Sequence, residues 1–259
     1  ATPGNGDWAS VTIKPAANTA ITVTATPNNG VPLFSFNGAK NITIDGIDSG
    51  GASLTLSNSS TSGWAGTSTV LFQYDATNNK VKNCRILGSS QNNLSGHAAT
   101  VLFYRNSSAT GNDNNVIENC DIGPAGQLPH CAVSFLGSTT NTTVYNSNDT
   151  VRNCKIYDYF NVNGNSAGIY IGAGNTGIAI ENNRLYQTSS RVASGLNLNH
   201  NGIFVNNTNG NAFSIKGNTI GYSSSAGTGV YSANLKTGSY FYGIFLSAGV
   251  SAQSSISNN

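Results

Sequence analysis

Ten carboxylates, three histidines and four cysteines are the residues of this 259-residue chain with the chemistry to act on a substrate or hold a metal. Two or three carboxylates gathered on one face would suit glycoside hydrolysis. Cysteines and histidines at short spacing would suit zinc. The primary sequence shows neither pattern. Asp45 and Asp48 fall in the opening turns, and Asp7, Asp75, Asp113, Asp149 and Asp158 in or near turns. Glu118, Asp121 and Glu181 recur inside a repeat, beside Lys or Arg. His97, His130 and His200 sit in different loops and read as surface histidines. Cys84, Cys120, Cys131 and Cys154 form no Cys-x-x-Cys pair, so a zinc ribbon fails on spacing. Gly111-Asn112-Asp113-Asn114-Asn115 offers oxygens to calcium but only one acid, and reads as an Asn/Asp/Gly turn. These spacings assign no catalytic residue, metal ligand or cofactor.

The elements that would position any such group come from an internal repeat. Val81-Lys82-Asn83-Cys84-Arg85-Ile86 returns as Ile117-Glu118-Asn119-Cys120-Asp121-Ile122 and as Val151-Arg152-Asn153-Cys154-Lys155-Ile156. It returns again as Ile180-Glu181-Asn182-Asn183-Arg184-Leu185 and Ile215-Lys216-Gly217-Asn218-Thr219-Ile220. Ile42-Thr43-Ile44-Asp45-Gly46-Ile47 reads as a divergent earlier copy, and Ile256-Ser257-Asn258-Asn259 as a last, partial one. Copies start between 29 residues (Val151 to Ile180) and 41 residues (Ile215 to Ile256) apart. The segments are short, β-branched and bounded by Gly, Asn and Ser, which favours strands over paired helices. A second family of apolar triplets precedes each motif: Val70-Leu71-Phe72, Val101-Leu102-Phe103, Val133-Ser134-Phe135, Ile169-Tyr170-Ile171, Ile203-Phe204-Val205 and Ile244-Phe245-Leu246. Alternation turns the outer two residues of each triplet inward and the middle one outward. Each rung therefore has at least two core-facing strands, with a return segment such as residues 88–99 able to supply a third side.

Charge supports in-register stacking. The second motif position reads Lys82, Glu118, Arg152, Glu181, Lys216, alternating in sign at each step, and the fifth begins Arg85, Asp121, Lys155. Equivalent residues of adjacent rungs lie about 4.8 Å apart, where like charges repel and opposite charges attract. The third position, Asn83, Asn119, Asn153 and Asn182, is expected to form an inward amide column in which stacked side chains satisfy one another. Cys84, Cys120 and Cys154 run beside it. Their parallel Cβ vectors are poor disulfide geometry, so buried free thiols are expected.

These motifs resemble the right-handed parallel β-helix repeats of the pectate-lyase-like superfamily. The opening, Ser10-Val11-Thr12-Ile13-Lys14-Pro15-Ala16, then Leu33-Phe34-Ser35-Phe36-Asn37-Gly38 and Asn41-Ile42-Thr43-Ile44-Asp45-Gly46, resembles the β-helix region of very large bacterial surface proteins. The resemblance implies an all-β, right-handed parallel β-helix over residues 1–259, a single domain and a segment of a longer adhesin-like chain. It also makes a polysaccharide-processing enzyme the first rival. Against that rival, Gly96-His97-Ala98 lacks the second glycine of the polygalacturonase Gly-His-Gly motif, and there is no Asn-Thr-Asp run or Arg-Ile-Lys.

Two surfaces are candidates for binding. Tyr157 and Tyr186 should stack in adjacent rungs with Tyr159 and Phe160 near them, a candidate glycan contact. Leu71, Leu102, Tyr170, Phe204 and Phe245 should form an outward apolar stripe, which would contact other copies or domains of the same surface protein or lie under the chain's own loops. Only 8% of residues are charged, against roughly 25% in ordinary soluble domains. A polar, uncharged, Asn- and Thr-rich composition points to an extracellular or cell-surface protein. With net charge +2 and no basic run, no nucleic-acid footprint is expected, and no apolar stretch is long enough for a membrane helix.

Overall fold

The computed structural model describes residues 9–16, 19–48, 51–52 and 54–259. Asp7 and the side chain of Asp48 lie outside the described residues. The chain coils as a parallel β-helix, and each rung passes through three sheets. Among the described residues, sheet A has eight strands, from Val11–Ile13 through Ile42–Asp45, Lys80–Lys82 and Val116–Glu118 to Ser255–Ser257. Sheet B has seven, including Cys84–Gly88, Lys155–Tyr157 and Arg184–Tyr186. Sheet C has seven, including Val101–Phe103, Cys131–Phe135, Ser166–Ile171 and Asn199–Asn207. No helix among the described residues is long and apolar enough to cross a membrane.

The motif is not one strand but a corner, which corrects two expectations. Its first two residues belong to sheet A and its last two to sheet B. The third residue turns the chain in the left-handed region: Asn83 has φ 58°, Asn119 53°, Asn153 55° and Asn182 53°. Asn tolerates that conformation better than other side-chain-bearing residues. These asparagines consequently point to the rim, half-exposed or exposed, and are not the inward column. The third side of each rung is the second half of the motif, while residues 89–100 form an irregular loop outside the barrel.

The inward amides occupy two other columns. At the fourth position, the Cys154 N–H donates to Asn183 Oδ1 (2.9 Å), the Asn183 N–H to Asn218 Oδ1 (3.0 Å) and the Asn218 N–H to Asn259 Oδ1 (2.9 Å). In the three rungs before Asn183 the same column holds thiols, and Cys84, Cys120 and Cys154 are buried and free, as expected. Burial pushes the Cys154 thiol up, keeping it protonated. At the corner between sheets C and A, the Ile42 N–H donates to Asn79 Oδ1 (3.0 Å), the Asn79 N–H to Asn115 Oδ1 (3.0 Å) and the Asn115 N–H to Asp149 Oδ1 (2.8 Å). Each side chain thus caps a backbone donor that the corner leaves outside the strand ladder, which satisfies a buried polar group.

Apolar stacking fills the space between the sheets. Phe36, Phe72, Phe103 and Phe135 form a continuous ring stack with centroids 4.6, 4.4 and 4.2 Å apart. All are buried within one core with Val81, Ile117, Val151 and Ile180. Burying each such ring contributes about 1.5–3 kcal/mol.

The alternating charges are in register, with Lys82 opposite Glu118 and Glu118 opposite Arg152. The earliest copy begins at Ile44, opposite Val81, two residues later than the motif alignment places it. That shift brings Asp45 into the charge column, where it pairs with Lys82 at 3.0 Å.

Candidate functional site: the outward face of sheet C

The triplets place their outer residues inward and their middle residues outward, and the outward stripe divides in two. Leu71, Leu102 and Ser134 are fully buried although they point away from the barrel. Leu94, Ala99, Tyr104 and Leu136 pack over the two leucines as a second, satellite core. Tyr170 joins the edge of this cluster, Phe204 is half-buried against it, and Phe245 is 39% exposed. The stripe is therefore covered by the chain's own loop in its early rungs and open in its later ones.

A histidine fastens the covering loop. The His130 N–H and the His130 Nδ1 both reach the Ser90 carbonyl at 3.0 Å, and the Asn161 amide donates to the Asn92 carbonyl at 3.0 Å. A carbonyl accepts only, so His130 Nδ1 carries the proton. His130 is buried, as is His200, whose Nδ1 lies 2.7 Å from Ser166 Oγ and whose ring stacks on Phe160 at 4.3 Å. Surface positions were expected for both. Their Gly- and Asn-rich surroundings do mark loops, but these loops fold back onto the barrel. Burial pushes each imidazole down to about 4, so both are neutral near pH 7. His97 is half-buried, and burial with the nearby Arg105 charge lowers it as well.

On sheet B, Tyr157 and Tyr186 stack at 5.5 Å with an interplanar angle of 15°. Tyr157 lies over Gly123, where a Cβ would come within 2.4 Å of its ring. Tyr186 is only 9% exposed, while Tyr159, part of the main core, and Phe160, stacked on His200, are buried and present no outer surface. Of the four aromatics expected at a glycan contact, the stack brings two together and removes two.

The carboxylates hold the rungs together. Glu118 bonds Arg152 at 2.9 Å and lies 3.7 Å from Lys80, and Asp121 lies 3.2 Å from Lys155. Partial burial alone would raise Glu118, but the Arg152 bond and the three cationic neighbours outweigh it and hold its carboxyl below the ordinary range. Asp158 pairs with Arg191, 33 residues away in sequence, and accepts from Thr188. Asp75 accepts from the backbone N–H groups of Ser108, Ala109, Thr110 and Gly111, which override its partial burial and hold it low. Asp113 accepts from Ser147 N–H and Oγ, so the Gly111–Asn115 segment is a tied turn. Asp149 ends the amide ladder with Oδ2 unpartnered, and burial pushes its carboxyl well up.

Where the stripe opens, a groove of about 390 Å³ runs between the covering loop and the outer face of sheet C. Tyr170 and Phe204 form its floor, their centroids 5.4 Å apart, and Asn165, Asn199 and Asn206 line it together with Asn93, Leu94 and Ser95 of the covering loop. The Asn199 N–H donates to Asn165 Oδ1 at 2.8 Å, locking the two asparagines one rung apart. Reading the repeats missed these amides. The signal was present: Asn165-Ser166-Ala167-Gly168-Ile169 and Asn199-His200-Asn201-Gly202-Ile203 share an Asn-x-x-Gly-Ile spacing.

No protein-family model matches the chain, and no curated protein or solved structure matches it at a significant level.

Proposed function

We propose that this chain is a structural and adhesive module of an extracellular surface protein, the role implied by its likeness to the β-helix regions of large bacterial surface proteins. The observation that carries the reading is the divided stripe: one face of the helix is sealed by its own loop, and the same face farther along leaves Phe204 and Phe245 for a partner. The rest of the rod suits load-bearing. Parallel ladders run from rung to rung through all three sheets, and each backbone hydrogen bond contributes about 0.5–1.5 kcal/mol net. The paired acids support this over the polysaccharide-processing rival, since Glu118, Asp121 and Asp158 are tied to cations of neighbouring rungs.

Electron microscopy of the native protein tests the reading. Slender stalks or fibres that attach to surfaces are the expected result. Compact discrete particles that cleave an acidic polysaccharide would overturn it in favour of the enzyme.

A further inference from the structure

We propose that the groove floored by Tyr170 and Phe204 is a binding site for a neutral saccharide. The inference rests on the adhesive reading and names what the open end of the stripe would hold. Three features of the groove converge on this ligand class.

The first is the pairing of surfaces. A pyranose ring has an apolar C–H face and a perimeter of hydroxyls that both donate and accept. An aromatic floor matches the first. Carboxamides, which carry a donor and an acceptor on one planar group, match the second. Here half-buried Phe204 supplies the open apolar ring, Tyr170, only 5% exposed, backs it at 5.4 Å, and Asn165, Asn199 and Asn206 add amides to the lining.

The second is charge. No Asp, Glu, Lys, Arg or His lines the groove. Burial raises the Tyr170 phenol, which therefore stays neutral at ordinary pH. A phosphate, sulfate or uronate entering the groove would lose hydration with no cation among the lining residues to replace it, a costly exchange. An uncharged sugar meets no such penalty.

The third is size and rigidity. About 390 Å³ lies at the small end of ligand cavities, which run to about 1,000 Å³. That holds one or two sugar rings. The floor belongs to paired strands, with Tyr170 opposite Phe204 and Phe204 opposite Phe245 in register, and the opposite wall is the loop that His130 fastens. Little ordering is needed on binding, which limits the entropic cost.

The test is a glycan array probed with the whole chain, followed by saturation-transfer NMR on the strongest neutral hits, with oligogalacturonate as the acidic control. Binding of neutral saccharides that persists in high salt is expected. Phe204→Ala should weaken it about tenfold or more, equivalent to about 1.4 kcal/mol. Asn199→Ala should weaken it less, and Tyr157→Ala on sheet B should leave it unchanged. Unaltered circular dichroism and melting temperature in Phe204→Ala separate lost contact from lost fold, and Phe204→Leu, which keeps apolar bulk without the ring, serves if Phe204→Ala unfolds. The proposal fails if no neutral glycan binds, if only acidic glycans bind, or if both Phe204 variants bind as well as the parent chain. Stalks that adhere to surfaces while no neutral glycan binds would sink the saccharide site alone. Sugar binding by compact, non-adhering particles would sink the adhesive reading alone.

Discussion

Leu102 and Phe204 occupy the same outward column of sheet C, three rungs apart through Ser134 and Tyr170, yet they meet different surroundings. Leu102 lies under Leu94, Ala99 and Tyr104 and is fully buried. Phe204 lies at the edge of that cover, half-buried beside an open groove. Strand sequence does not separate them, since both are large apolar residues flanked by inward apolar neighbours. What differs is the length of insertion that happens to fold back beside each rung. An outward apolar position in a solenoid thus becomes core or contact surface according to its neighbouring loop.

Truncating each residue in turn tests the contrast most directly. Leu102→Ala should cost about 2–5 kcal/mol in urea denaturation, as for a core leucine, whereas Phe204→Ala should cost about 1 kcal/mol or less. Equal costs would mean that the cover is not real or the groove not open.

Acid should loosen the covered half next. The His130 imidazole is held at about 4 in the fold against an ordinary 6.5, so the unfolded chain takes up its proton first. Its contribution is complete above pH 6.5 and is lost as pH falls to about 4, a change of about 3 kcal/mol. Hydrogen exchange in residues 89–100 should rise over that window, and His130→Gln should flatten the rise. An unchanged exchange profile would sever the histidine from the loop.

Asp149 has the opposite sign. Its carboxyl is raised in the fold by burial, with Asp113 the nearby charge adding to the effect. Stability is therefore lost as pH rises above 3.8, where the unfolded carboxyl ionises and the buried one resists. Asp149→Asn would restore an amide to the ladder begun by Asn79 and Asn115, and should stabilise the chain by about 1 kcal/mol or more at pH 8 but little at pH 4. A melting temperature lower than the parent's at pH 8 would refute this. The smallest effect belongs to the rim: Lys155→Ala breaks a half-exposed pair with Asp121 and should cost under about 1 kcal/mol, declining with salt.

Much of the architecture was legible in the primary sequence. The recurrence of an apolar–polar–Asn–Cys/Asn–polar–apolar motif, with opposite charges at successive second positions, demands in-register parallel stacking, because unstacked segments have no reason to alternate. The triplets announced which residues face the barrel, since period-two alternation is a local property of a strand. Which Asn of the motif points inward was not legible. Asn favours both the left-handed corner and the stacked ladder, so residue type alone could not assign the third position to the corner and the fourth to the ladder; the backbone φ of Asn83, Asn119 and Asn153 did so.

By itself, then, the sequence determined the repeat, the strand faces and the charge register, all of which follow from side-chain alternation and from forces between residues one rung apart. Only the tertiary structure decided that His130 and His200 are buried, that Asp158 finds Arg191, that Tyr159 and Phe160 turn inside, and that Asn165 and Asn199 border a groove with Tyr170 and Phe204. Those outcomes depend on how irregular loops of unequal length settle on a regular rod. No periodic signal encodes that settling, because each loop makes its contacts once.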